Sequence, residues 1–166
     1  MTDWATLVRE QTPMLFQTAW RLLGHRQDTE DAVQDALLEA YRERDRSEVK
    51  NWGGFLRTAV TRRALDRLRR RRATTIVPEE LASPVGDEPQ TQVEARELAA
   101  WLQHAVAQLP ARQAEVFSLR CFAEMSNAEI AAALNITTEA AAVALHKARE
   151  SLSAMHNTRS GTSIRQ

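Results

Sequence analysis

The sequence predicts an all-α protein: two small helical domains joined by a flexible acidic linker, the second domain a helix-turn-helix. Apolar residues recur every three to four positions in both halves, and no alternating apolar–polar run bounded by turn residues occurs. The stretch from 76 to 90 has neither period and sets Pro78, Pro84, Gly86 and Pro89 among acids, the composition of a tether. Beyond it, Ser126 with Glu129 three residues on, and Thr137-Thr138 before a long apolar-periodic stretch, mark two helices separated by a short turn. The expected organisation is a first domain over 1–75, a linker over 76–92, a second domain over 93–156 and a disordered tail over 157–166.

Each element has its own signal. The first helix starts near Thr2 or Asp3, passes Pro13, which is expected to kink or divide it, and ends at Gly24. A second, over about 28–44, is expected to bury Ala32, Val33, Ala36, Leu37, Ala40 and Tyr41. The third starts near Trp52, buries Phe55, Leu56, Ala59, Val60, Ala64 and Leu68, and turns its arginines outward. In the second domain, helices are expected over 91–108, 111–121, 127–134 and 138–156. Ser126 and Glu129 form a capping box for a lead-in helix with Ile130 and Leu134 inward, and Asn135-Ile136-Thr137 makes the turn. Thr137 or Thr138 then caps a helix whose Ala141, Leu145, Ala148 and Leu152 point into the core. An ordinary helical hairpin uses the same caps, so this motif alone leaves both readings open.

Composition narrows the function classes. With 166 residues, 43% hydrophobic and 27% charged, the chain has enough material for a core in one domain or two small ones. No apolar run approaches the roughly 20 residues of a membrane-spanning helix, and Met1-Thr2-Asp3-Trp4 lacks the basic-then-apolar start of a signal peptide. A cytoplasmic location without membrane insertion is therefore expected. Cys121 is the only cysteine, which excludes an internal disulfide or a cysteine zinc cluster and reads as a small core residue. His25, His104, His146 and His156 show no ligand spacing, and neither a Gly-rich phosphate loop nor a nucleophile elbow is present. No catalytic residue, metal or cofactor is expected, and the chain does not read as an enzyme.

The formal net charge of zero hides a segregation along the chain. Residues 57–72 contain eight arginines against the single Asp66, whereas 79–97 contain six acids against the single Arg96. Such a dipolar pattern suits a protein with one surface for phosphate and another for a basic partner.

Three segments together resemble a known family. They are Asp28-Thr29-Glu30-Asp31-Ala32-Val33-Gln34-Asp35, then Phe55-Leu56-Arg57-Thr58-Ala59-Val60-Thr61-Arg62-Arg63-Ala64-Leu65-Asp66-Arg67-Leu68-Arg69-Arg70, then the helix-turn-helix ending in Leu145-His146-Lys147-Ala148-Arg149. In this order, around an acidic Pro-rich linker, they resemble the extracytoplasmic-function (ECF) sigma factors, the two-domain members of the bacterial sigma-70 family. The resemblance implies a protein that directs core RNA polymerase to promoter DNA and has an anti-sigma factor as a further partner. It implies that Glu30, Asp31, Gln34 and Asp35 meet a basic coiled coil on the polymerase, Asp31 and Gln34 foremost. Carboxylates at a helix start also simply suit the helix dipole.

The same resemblance implies that Thr61, Arg62, Arg63 and Arg67 contact the minus-ten region, with Thr61-Arg62 standing where the family frequently has an Arg-Asn pair. Trp52 and Phe55 are candidates for stacking on an unpaired base, Phe55 reading more readily as core. Ala142, Val143 and Ala144 stand where the family often carries a basic residue, a small polar one and an arginine, with Ala142 and Ala144 expected to face the groove. Thr137, Thr138, His146, Lys147 and Arg149 remain to touch the minus-thirty-five element, which predicts loose, backbone-led docking. Two other classes share part of this pattern. A freestanding helix-turn-helix regulator would have no use for the acidic second helix or the arginine-rich third, and a sigma-like antagonist would explain the depleted recognition helix.

Overall fold

A computed structural model describes residues 3–73 and 89–163. Among them are seven helices and no strand, as the apolar periodicity predicts. Residues 76–88 of the expected linker lie outside the described residues.

Helix α1 (Trp4–Leu23) starts where Asp3 accepts hydrogen bonds from the Thr6 backbone N–H at 3.2 Å and the Thr6 hydroxyl at 2.7 Å. Pro13 lies inside α1 without dividing it. The missing N–H costs one backbone bond, while Leu15, Thr18, Ala19 and Leu22 are fully buried just beyond it and hold the next turns against the bundle. Gly24 closes the helix in the left-handed region, φ 58°, its N–H reaching Trp20 O at 2.8 Å.

Helix α2 (Arg26–Glu43) begins two residues ahead of the apolar pattern because His25 caps it, Nδ1 accepting from Asp28 N–H at 3.2 Å. Ala32, Val33, Ala36 and Ala40 are buried, but Tyr41 is 46% exposed, a correction to its expected place in the core. One position past Ala40, it projects sideways, its ring under the Arg44 guanidinium at 4.2 Å and edge-on to Trp4 at 5.6 Å.

Helix α3 (Trp52–Ala73) buries Leu56, Ala59, Val60, Ala64, Leu65 and Leu68, packing on α1 and α2 and also on the second bundle. At its start, Trp52 lies edge-on to Trp4 at 5.8 Å and to Phe55 at 5.7 Å, all three partly buried against the core. Both α3 aromatics are thus bundle residues.

The second bundle comprises α4 (Gln90–Gln108), α5 (Ala111–Cys121), α6 (Asn127–Leu134) and α7 (Thr138–Ser163). Val116, Leu119, Met125, Ile130, Ala141, Leu145, Ala148 and Leu152 form its core. Cys121 is exposed, contrary to the expectation of a core thiol. As the last residue of α5 it points away, and Leu119 and Ala123 fill the interior instead. Helix α7 continues over much of the stretch expected to be a disordered tail. No proline interrupts it, and Thr158 donates back to Ala154 O at 3.0 Å.

The capping box of α6 is complete: Ser126 Oγ accepts from Glu129 N–H at 3.1 Å and Glu129 accepts from Ser126 N–H at 2.7 Å. Ser126→Ala should therefore lower the unfolding free energy by about 1 kcal/mol, read as a shift of the urea midpoint at unchanged slope.

Candidate nucleic-acid interface

Four arginines of α3, Arg62, Arg63, Arg67 and Arg71, are engaged by carboxylates. Arg63 donates from Nε and Nη2 to Glu39 at 3.2 and 2.9 Å, Arg67 from Nη2 to Asp35 at 2.9 Å, and Arg71 from Nε to Asp28 at 3.0 Å and from Nη1 to Leu23 O at 2.9 Å. Asp31 stands 3.9 Å from Arg67 as well. Positions 63, 67 and 71 climb α3 as 39, 35 and 28 descend α2, so the pairs form one ladder between antiparallel helices. The hydrogen bonds that Arg63 donates to Glu39, foremost, hold its guanidinium above its ordinary pKa against the opposing effect of burial.

Arg62 points the other way. Its Nε meets Glu115 of α5 at 2.6 Å, and Glu115 is itself only 13% exposed. Around this contact Arg21 of α1 donates to Phe122 O at 2.9 Å and lies 3.8 Å from Glu124, and Gln103 of α4 donates to Arg21 O at 3.3 Å. The bundles are thereby packed face to face, with α3 between them. Thr61 is fully buried and its hydroxyl has no hydrogen-bond partner, so it presents nothing to a ligand in this arrangement.

The structure thus gathers Thr61, Arg62, Arg63 and Arg67 on one helix, pairs the three arginines with carboxylates and buries Thr61. On α2, Asp31 also accepts from Gln27 at 3.0 Å and Glu30 from Arg26 at 3.0 Å, while Gln34 is exposed. Leu38 and Tyr41, 47% and 46% exposed, continue the line of Gln34 at helical spacing. Sequence reasoning passed over Leu38. Its place outside the Ala32-Ala36-Ala40 stripe was the available signal.

Helices α6 and α7 meet at a bend of 108°, within the range of helix-turn-helix units. Asn135 makes the turn in the left-handed region, φ 53°, and Thr137 Oγ1 caps α7 by accepting from Ala140 N–H at 3.0 Å. Thr138, His146, Lys147 and Arg149 are exposed, and His146 Nε2 lies 3.3 Å from Glu150. Ala144 is buried, a correction to its expected place facing the groove. It follows Ala141 by three positions and precedes Ala148 by four, and so shares their inward stripe. Opposite that stripe stand Glu139 and Val143, both exposed; Glu139 was missed from sequence, though a helical projection from the core residues would have found it. Among the described residues no group of His, Cys, Asp and Glu could hold a metal ion, and no single helix is long and apolar enough to cross a membrane.

The contact between bundles is open to a direct measurement. A double-mutant cycle on Arg62→Ala and Glu115→Ala should give a coupling of about 1 kcal/mol in the unfolding of the full chain, since the arginine is 56% exposed and solvent screens the pair.

Comparison with known proteins places these surfaces in a family. The profile of Sigma-70 region 2 matches residues 7–74 and that of Sigma-70, region 4 matches residues 99–152. The chain is similar to ECF RNA polymerase sigma factor SigW of Bacillus subtilis (strain 168), at 26% identity over 150 residues, covering 83% of this chain and 80% of that protein. It is also 26% identical over 156 residues to ECF RNA polymerase sigma factor SigE of Mycolicibacterium smegmatis (strain ATCC 700084 / mc(2)155), covering 92% of this chain and 61% of the relative. Among solved structures, that of CnrH in complex with the cytosolic domain of CnrY has the same fold, with a TM-score of 0.63 at 22% identity over 93% of this chain and 88% of that one. Both sigma-70 regions occur in their expected order, one on α1–α3 and the other on α4–α7, and the chain belongs to the sigma-70 family as an ECF RNA polymerase sigma factor.

Proposed function

We propose that residues 1–75 bind core RNA polymerase and the minus-ten region, that residues 93–156 dock on the minus-thirty-five element, and that residues 76–92 tether the two. In this reading the outward face of α2, with Glu30, Gln34 and the carboxylates of Asp31 and Asp35, meets a basic surface of the polymerase. The guanidiniums of Arg62, Arg63 and Arg67 take promoter phosphates and bases. The polymerase supplies the chemistry of RNA synthesis and this chain supplies promoter choice and strand opening, acting in the cytoplasm and not as an enzyme. The observation that carries the reading is the ladder along α3, which puts the acidic and arginine-rich surfaces back to back on two packed helices.

The Arg62–Glu115 pair adds a condition. Arg62 reaches DNA once α5 withdraws, so promoter binding goes with separation of the bundles. An anti-sigma partner would act by holding them in the other state. CnrH, whose fold this chain shares, was solved with the cytosolic domain of CnrY, which supports a partner of that kind.

With purified core polymerase and genomic promoter fragments, Arg62→Ala with Arg63→Ala should abolish permanganate-reactive open complexes while core binding persists. Persistent promoter opening would reject the assignment of α3. Lys147→Ala should weaken upstream binding about equally across sequences and reduce the slope of log affinity against log salt by about 0.9, as one lost phosphate contact does.

A further inference from the structure

Ahead of His146 and Lys147, the outward line of α7 carries no hydrogen-bond donor suited to a guanine. Glu139 offers only acceptors, Val143 offers none, and His146 lies 3.3 Å from Glu150. Guanine shows N7 and O6 acceptors in the major groove and is read by donors, so Glu139 and Val143 do not serve it. The one apolar mark on a base edge in that groove is the thymine C5-methyl.

Val143 is 52% exposed, more than any other large hydrophobic residue among those described. Nothing in the bundle explains it. Core contact on α7 is made by Ala141, Ala144, Leu145, Ala148 and Leu152, whose stripe lies on the opposite side. An isolated exposed valine would be unremarkable on an ordinary helix face. This one stands about one and a half turns into the second helix of a helix-turn-helix, the helix that such units place in the major groove. Ala142 beside it is exposed and adds only a methyl, so the backbone there is free to approach closely. Lys147, exposed one turn beyond, is placed to take a flanking phosphate.

We propose that Val143 is a specificity-determining residue that packs on the C5-methyl of one thymine in the upstream promoter element. Upstream recognition then combines backbone docking with one apolar contact, in place of the hydrogen-bonded reading that basic side chains would give. The inference rests on the sigma-factor reading and deepens it by naming a base.

The test uses the full chain with core polymerase. An upstream duplex is first selected from a randomised library by the wild-type complex, and each of its thymines is then replaced in turn by uracil, which removes the methyl and keeps every hydrogen-bonding group. One replacement should weaken wild-type binding about three- to fivefold, the worth of one buried methyl. Val143→Ala should bind the thymine and uracil duplexes equally, and Val143→Ile should keep the discrimination, which shows that the variants fold and dock. The proposal is overturned if no thymine is sensitive to loss of its methyl, or if Val143→Ala retains the full uracil penalty. Either result leaves the sigma-factor reading standing when selection still yields a preferred sequence. A wild-type complex that selects no upstream sequence and opens no promoter would overturn both.

Discussion

The ladder of guanidinium–carboxylate pairs between α2 and α3 is the constraint on which the rest of the molecule depends. Helix α3 sits at the centre of the structure and yet belongs to a run of eight arginines. A helix so charged packs against neighbours only where its cations find partners. Each pair is partly exposed and worth about 1 kcal/mol or less by itself. Together Arg63–Glu39, Arg67–Asp35 and Arg71–Asp28 fix the antiparallel register in which the apolar stripes of α2 and α3 also meet.

The same pairing explains how an arginine-rich surface persists in a chain of zero net charge. The carboxylates of α2 and Glu115 of α5 occupy the guanidiniums as phosphates would, Arg63 giving two N–H groups to one oxygen of Glu39. Under the proposed function, binding of DNA at α3 is therefore an exchange of anions, not the filling of a vacant site. Because Asp31 and Asp35 belong both to the ladder and to the face proposed for the polymerase, contacts on one side of the first bundle bear on the cations on the other.

The second bundle is organised around a different requirement, the rigid presentation of one helix. The capping box at Ser126, the left-handed Asn135 and the Thr137 cap leave little freedom at either end of the turn, and Ile130, Leu134, Ala141 and Leu145 lock the two helices onto α5. The exposed side of α7 is thus free of structural duty, and its composition is open to selection by what docks on it. Among the described residues the fold holds no large apolar side chain more exposed than Val143.

Local signals made most of the helices legible in the sequence. Pro110, Ser126 and Gly24 mark boundaries through backbone geometry or a side chain two or three residues away, and the spans 111–121 and 127–134 follow from them. The three segments that identified the family were equally legible, because each is a contiguous pattern. Tyr41, Cys121 and Ala144 were misplaced because one position on a helix rotates a side chain by about 100°, and only the packed neighbours say which side is inward. The α7 extension was missed because it carries neither a stop signal nor an apolar stripe. What the tertiary structure alone decided is the pairing: Arg62 with Glu115 lies 53 residues apart in sequence and Arg71 with Asp28 lies 43 apart. No local period encodes such partners, since they are set by which helix faces meet once the apolar stripes are buried.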